Sequence, residues 1–132
     1  MPIRSPLIVI VFSLILVSLY PRSAGAHHSW VSEYDANKPV VVKGLVTKVE
    51  WTNPHVHIYL DSTDDSGKVS PWNFEMASVL SLERGGWSRR SVSAGDIITM
   101  EGFEGRAGAG RAIASAVNTN DGQSLFVDKP RD

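Results

Sequence analysis

Two short runs in this chain alternate in step. From His55 to Leu60, Val56, Ile58 and Leu60 fall on one side and His55, His57 and Tyr59 on the other. From Trp72 to Met76, Trp72, Phe74 and Met76 share a side, against Asn73 and Glu75. A period of two is the mark of a strand whose two faces meet different surroundings. The runs flank a polar segment, Asp61 to Ser70, that holds Asp64, Asp65 and Gly67. Together they predict an antiparallel hairpin with one buried face, which other strands must cover.

The rest of the chain supplies those strands. Val40 to Trp51 is rich in β-branched residues and reads as a long first strand, with Gly44 marking a bulge or tight bend. Thr52-Asn53-Pro54 punctuates it, because Pro54 lacks an N–H and biases Asn53 away from helix. Ser78 can cap a short helix carrying Val79, Leu80 and Leu82, which Gly85-Gly86 ends. Gly95-Asp96 turns into a strand from Ile97 to Gly102, and Gly105 to Gly110 forms a loop before a strand from Ala112 to Thr119. Asp121-Gly122 then turns into a short terminal strand, Leu125 to Val127. Three strands, a helix and two strands is the order of an all-β, five-stranded Greek-key barrel of the OB-fold type. Another small sandwich or open roll uses the same elements and stays open as the alternative.

Residues 1–26 read as a targeting segment. Arg4 gives a positive start, Leu7 to Tyr20 is apolar but for Ser13 and Ser18, Pro21 breaks it, and Ala24-Gly25-Ala26 offers the small residues of a cleavage site. The apolar stretch is 14 residues, short of the roughly 20 that a spanning helix needs. The chain has no cysteine for a lipid anchor. Cleavage after Ala26 is therefore the expectation, with no stable membrane anchor afterwards and a periplasmic or secreted destination. Of the 132 residues, 106 would remain, enough for one core and too few for two. Residues 27–39 would lie extended along the domain, with Trp30, Val31 and Tyr34 as apolar anchors, and residues 40–132 would form the barrel. Without Arg4 and Arg22, 11 basic residues face 14 acidic ones, a net charge of −3. That balance argues against a nucleic-acid partner.

Several of these residues recur in one order: His27-His28-Ser29, Gly44 to Trp51, Asn53-Pro54-His55, Trp72 to Glu75, Gly86-Trp87, Gly95-Asp96 and Asp121-Gly122. In this the chain resembles an uncharacterised bacterial group, the domain of unknown function 6152, over essentially all of the processed length. The His-His-Ser start and the Trp-x-Asn-Pro-His motif are the specific parts. The resemblance implies a small exported β-barrel domain and no assigned activity.

All four histidines lie in two clusters, His27-His28 and His55-x-His57. The second pair falls on one strand face. Imidazole nitrogens suit copper, zinc and nickel, and copper(II) generally binds such ligands most tightly. After cleavage, the new α-amine and the His27 imidazole can chelate one ion together, an arrangement that resembles the histidine brace of exported copper proteins. The amine has an ordinary pKa of about 7.7–8.0, so it deprotonates readily near neutral pH. His28, His55 and His57 could complete the set, with Glu33, Asp35 or Glu75 as oxygen ligands or outer partners. The competing view needs no metal: a solvated leader, a pairing of His57 with Glu75 across the hairpin, and His55 shaping the turn after Pro54.

Other chemistry has less to stand on. The face that OB-folds use would present Trp51, Asn53, His55, His57, Tyr59, Asn73 and Glu75 as a groove for a peptide, an envelope protein or a glycan. Equally, Trp51 and Tyr59 can simply pack at a barrel rim. Arg106 and Arg111 flank the Gly-Ala loop without the spacing of a phosphate loop. No Gly-x-Ser-x-Gly elbow and no cysteine nucleophile is present. The sequence thus points to an exported binding module, for copper or another transition metal, or else for a metal-free macromolecular ligand.

Overall fold

The computed structural model describes residues 30–126. The two leading histidines and the targeting segment lie outside that span, as does Val127, the expected last residue of the terminal strand. The described chain is mostly β: one six-stranded sheet and two short helices. In chain order the elements are α1 (Trp30–Glu33), β1 (Tyr34–Glu50), β2 (His57–Thr63), β3 (Val69–Glu75), α2 (Val79–Arg84), β4 (Ile97–Gly105), β5 (Arg111–Thr119) and β6 (Ser124–Phe126).

The sheet runs β3-β2-β1-β4-β5-β6, with every neighbouring pair antiparallel. A further, parallel pairing joins β3 to β5 through Asn73↔Arg111, Phe74↔Ala112 and Glu75↔Ile113. The pairings β1–β2, β2–β3, β3–β5, β5–β4 and β4–β1 therefore return to the strand they began on. β1 makes this possible. Its first part pairs with β4 as far as Leu45↔Ile97, and its second part pairs with β2 from Leu45↔Asp61 onward.

Gly44 sits at this hand-over. A Cβ there would lie 2.5 Å from the Asp61 carbonyl oxygen and 2.6 Å from Leu60 Cδ1, so only glycine lets the strands cross. The bulge that sequence placed at Gly44 falls slightly later, between Val46 and Lys48.

The hairpin has the register that the alternation demands, from His57↔Glu75 to Thr63↔Val69. Val56, Ile58, Leu60, Phe74 and Met76 are buried, and Trp72 packs against them. Val42, Val46, Ile98, Met100, Ala112, Ala114 and Val117 complete that core. Ser78 caps α2, its side chain accepting from the Ser81 N–H at 3.3 Å, and Asn53 Oδ1 accepts from the Val79 N–H at 3.2 Å. Gly86, at φ +90°, turns the chain out of the helix, and Leu82, Trp87 and Val92 close the core beneath it.

The segment before residue 40 departs from the sequence reading. Instead of one extended run it holds a single helical turn, after which Tyr34 already pairs with Gly105 as the start of β1. Tyr34 and Ile113 are 2% and 3% exposed, yet neither belongs to the main core cluster. They fill a second, smaller apolar layer on the outer face of the sheet. Trp30 lies on Phe103 beside it, with ring centroids 6.0 Å apart.

Candidate functional site

The outer face of the sheet carries two cross-strand rows. Register sets Phe103, Ile113, Glu75, His57 and Glu50 side by side across five strands. The next row is Arg111, Asn73, Tyr59 and Lys48. Sheet twist brings diagonal neighbours together, and here the polar contacts run diagonally from row to row. Arg111 Nη2 donates to Glu75 Oε2 at 3.1 Å, and Tyr59 donates its hydroxyl to Glu50 Oε2 at 3.0 Å. His57 Nδ1 faces Asn73 Oδ1 at 2.9 Å, and the His57 ring stacks on Tyr59 with centroids 6.2 Å apart. Lys48 pairs with Glu50 and lies over the Tyr59 ring.

Glu75 is the hub. Its Oε1 lies 2.6 Å from His55 Nδ1, and its Oε2 accepts from both Arg111 and the Tyr34 hydroxyl. The Glu75 side chain is only 13% exposed. Burial alone would raise its pKa, but hydrogen bonds from Tyr34 and Arg111 and the nearby imidazoles outweigh burial and hold the carboxyl below its usual range. Tyr34 moves the other way. Burial first, then its bond to Glu75 and that group's charge, push the phenol well above its ordinary value despite Arg111.

The same hub reaches the N-terminal turn. Arg111 Nη2 also donates to Glu33 Oε2 at 2.8 Å, and its guanidinium lies 5.2 Å from the centre of the Tyr34 ring. Arg106 holds the turn from its other side, through its backbone N–H to the Glu33 carbonyl at 2.8 Å and its Nε–H to the Val31 carbonyl at 3.0 Å. Asp35 lies 3.8 Å from Arg106 Nη1.

Set against the sequence expectations, the face carries two adjoining sets, His55–Glu75–Arg111–Glu33 and His57–Asn73 with Tyr59 stacked on the imidazole. The cross-hairpin pairing differs in one respect. His55, not His57, meets Glu75, because His57 leans onto Asn73 while His55 follows the turn back over the carboxylate. Trp51 is 8% exposed and belongs to the core, so it offers a ligand no surface. Asn53 spends its amide oxygen on α2. His27 and His28 lie outside the described residues. Sequence reading missed two members, Tyr34 and Arg111. Tyr34 read as an apolar anchor and Arg111 as a loop flank. Glu75 on the outward face was the available signal, since a carboxylate that is largely covered requires a cation or donors beside it.

Among the described residues, no three His, Asp or Glu side chains are grouped so as to hold a metal ion by themselves. Both described imidazoles, however, turn Nδ1 to an oxygen. Where such an oxygen accepts from the Nδ1–H of a neutral ring, Nε2 is the nitrogen left to bind a metal. That is how metal-ligating histidines are commonly oriented from behind.

A concavity of about 650 Å³ opens where β1 and β2 part. Val41, Lys43, Thr63, Pro71, Trp72 and Gly110 are among the residues lining it.

The fold and this face define a small β domain with a histidine–carboxylate–arginine network on its outer surface. The chain belongs to the family described as "Family of unknown function (DUF6152)", whose model matches residues 15–114. No curated protein and no solved structure matches it.

Proposed function

We propose that this protein is an exported module that binds a transition metal, copper in preference to zinc. The Nε2 atoms of His55 and His57 would act together with the α-amine and imidazole that cleavage after Ala26 creates at His27, and His28 lies within the same stretch. The observation that carries the reading is the shared orientation of the two imidazoles, each with Nδ1 engaged by Glu75 or Asn73. Glu75 already serves three donors, so it acts as an outer partner of His55 rather than as a ligand, and Glu33 is likewise engaged by Arg111.

Chain length supports the reach that the site requires. Trp30 lies on Phe103, at one end of the row that leads through Ile113 and Glu75 to His57. Three strand-to-strand steps are about 14 Å at the usual spacing of roughly 4.8 Å. The three residues from His27 to Trp30 can span at most about 10–11 Å, which leaves about 3–4 Å for a chelate's side chains to bridge. The finer reading of the fold goes with this proposal. The ring of pairings, with α2 between the third and fourth strands, fits a five-stranded OB-type barrel whose ligand face lies on β2 and β3. A periplasmic or secreted location follows from the leader.

The test is a copper(II) titration of the processed chain, beginning at His27, beside the same chain acetylated at its α-amine. The expected result is one equivalent bound with nitrogen hyperfine structure in the electron paramagnetic resonance spectrum. Binding should fall sharply in the acetylated form and in His55→Ala and His57→Ala. Equal binding by native and acetylated chains would overturn the amine-chelate reading. The concavity beside Trp72 favours a second reading, a metal-free domain that takes a peptide or glycan there. Its sign would be a perturbed Trp72 indole resonance on adding such ligands with copper absent.

A further inference from the structure

We infer that Arg106 and Arg111 are positioning residues that hold the N-terminal arm, residues 30–35, against the histidine face and so fix where the amino terminus can reach. This rests on the metal reading above. The arm needs such a device. α1 is a single turn of four residues with none of them buried, and a helix that short does not persist on its own.

The contacts come from both ends of one loop. Arg106, just after β4, bonds two arm carbonyls, of Val31 and Glu33, and faces the Asp35 carboxylate. Arg111, at the start of β5, bridges Glu33 of the arm to Glu75 of β3 and covers the Tyr34 ring. Gly108 and Gly110, at φ +136° and +87°, let the loop double back so that both arginines face the same segment. A solvent-exposed ion pair alone holds little. Here the Arg106 side chain grips the Val31 carbonyl beside its backbone bond to Glu33, and Arg111 is anchored on a carboxylate that is itself largely covered, so the arm is located rather than merely attracted. Arg111 also touches the carboxylate that orients His55, which links the arm and the imidazole through one guanidinium.

Copper(II) titration of the processed chain carrying Arg106→Gln or Arg111→Gln tests this, alongside hydrogen exchange at residues 31–35. The expected result is a loss of copper affinity of about tenfold or more, the range typical for groups that orient a ligand, together with faster exchange in the arm. Arg106→Gln, which does not touch Glu75, should leave the weaker affinity of the chain acetylated at its α-amine unchanged. That contrast separates positioning from general destabilisation, which would weaken both forms alike. If the native chain binds copper and both variants bind it as tightly, or if Arg106→Gln weakens the native and acetylated forms equally, the positioning role is wrong while the metal reading stands. If the unsubstituted chain binds no copper, the metal reading fails and the positioning role fails with it.

Discussion

His55 Nδ1 and Glu75 Oε1 meet at 2.6 Å although strand register sets Glu75 opposite His57. The contact is made from outside the β2 ladder, since His55 precedes the strand and lies just after Asn53-Pro54. One carboxylate thereby ties the turn after β1, the hairpin, the first residue of β5 and the arm to a single point. Disturbing Glu75 should be felt at all four, and the expectations below separate that network from the core behind it.

Phe74 and Asn73 are neighbours on opposite faces of β3. Phe74 is fully buried, so Phe74→Ala should destabilise by about 3–5 kcal/mol. Asn73→Ala removes one hydrogen bond to His57 and should cost about 1 kcal/mol. Urea denaturation of the two variants checks this, and equal losses would mean that the register is wrong.

Gly102 faces the main core where β4 crosses β5. A Cβ there would run into the Ile113 carbonyl oxygen and carbonyl carbon, both backbone atoms that no rotamer change can move. Gly102→Ala should cost about 3 kcal/mol or more, at the upper end of what overpacking does. Gly67→Ala, at φ +83° with open space around it, should cost about 1–2 kcal/mol from backbone conformation alone. Thermal denaturation of the pair distinguishes a steric from a conformational requirement.

Tyr34→Phe keeps the ring and removes the hydroxyl that donates to Glu75, a bond to a charged acceptor worth about 1.5–3 kcal/mol. The sign with pH follows from the raised phenol. Its pKa is higher folded than unfolded, so its stabilising contribution is complete below about pH 10 and is lost as pH climbs from there toward the raised value. Denaturation midpoints measured at increasing alkalinity should fall more steeply for the native protein than for Tyr34→Phe.

Asp64 organises the hairpin loop, accepting from the Ser66 hydroxyl at 2.6 Å and from the backbone N–H groups of Ser66 and Lys68 at 2.9 and 3.0 Å. The Ser66 hydroxyl first, then the Lys68 N–H, hold its carboxyl below the usual range. Its contribution is therefore present above the ordinary carboxylate value and fades as pH falls toward the lowered one. A carbon-detected NMR titration should place the Asp64 midpoint below that of an ordinary aspartate, and Ser66→Ala should raise it.

Much of this architecture was legible because its causes are local. Alternation in Val56–Leu60 and Trp72–Met76 fixed which face is covered, and Ser78 and Gly85-Gly86 marked both ends of α2. What escaped was non-local. Nothing near Arg111 in the chain reveals that β5 will lie parallel to β3 and bring its guanidinium to Glu75. Tyr34 looked like an anchor because its ring is apolar, whereas its hydroxyl serves a partner 41 residues away. The histidine face was legible in membership but not in pairing, since twist, which sequence does not print, decides which diagonal neighbours touch.

β1 owes its two halves to different neighbours, β2 close behind it and β4 beyond the helix. A nascent polypeptide released stepwise can therefore form the hairpin early, but the longest strand stays half unsupported until β4 has emerged. Assembly of the domain waits on that late, distant closure. Until then β1 has only one of the two neighbours that hold it.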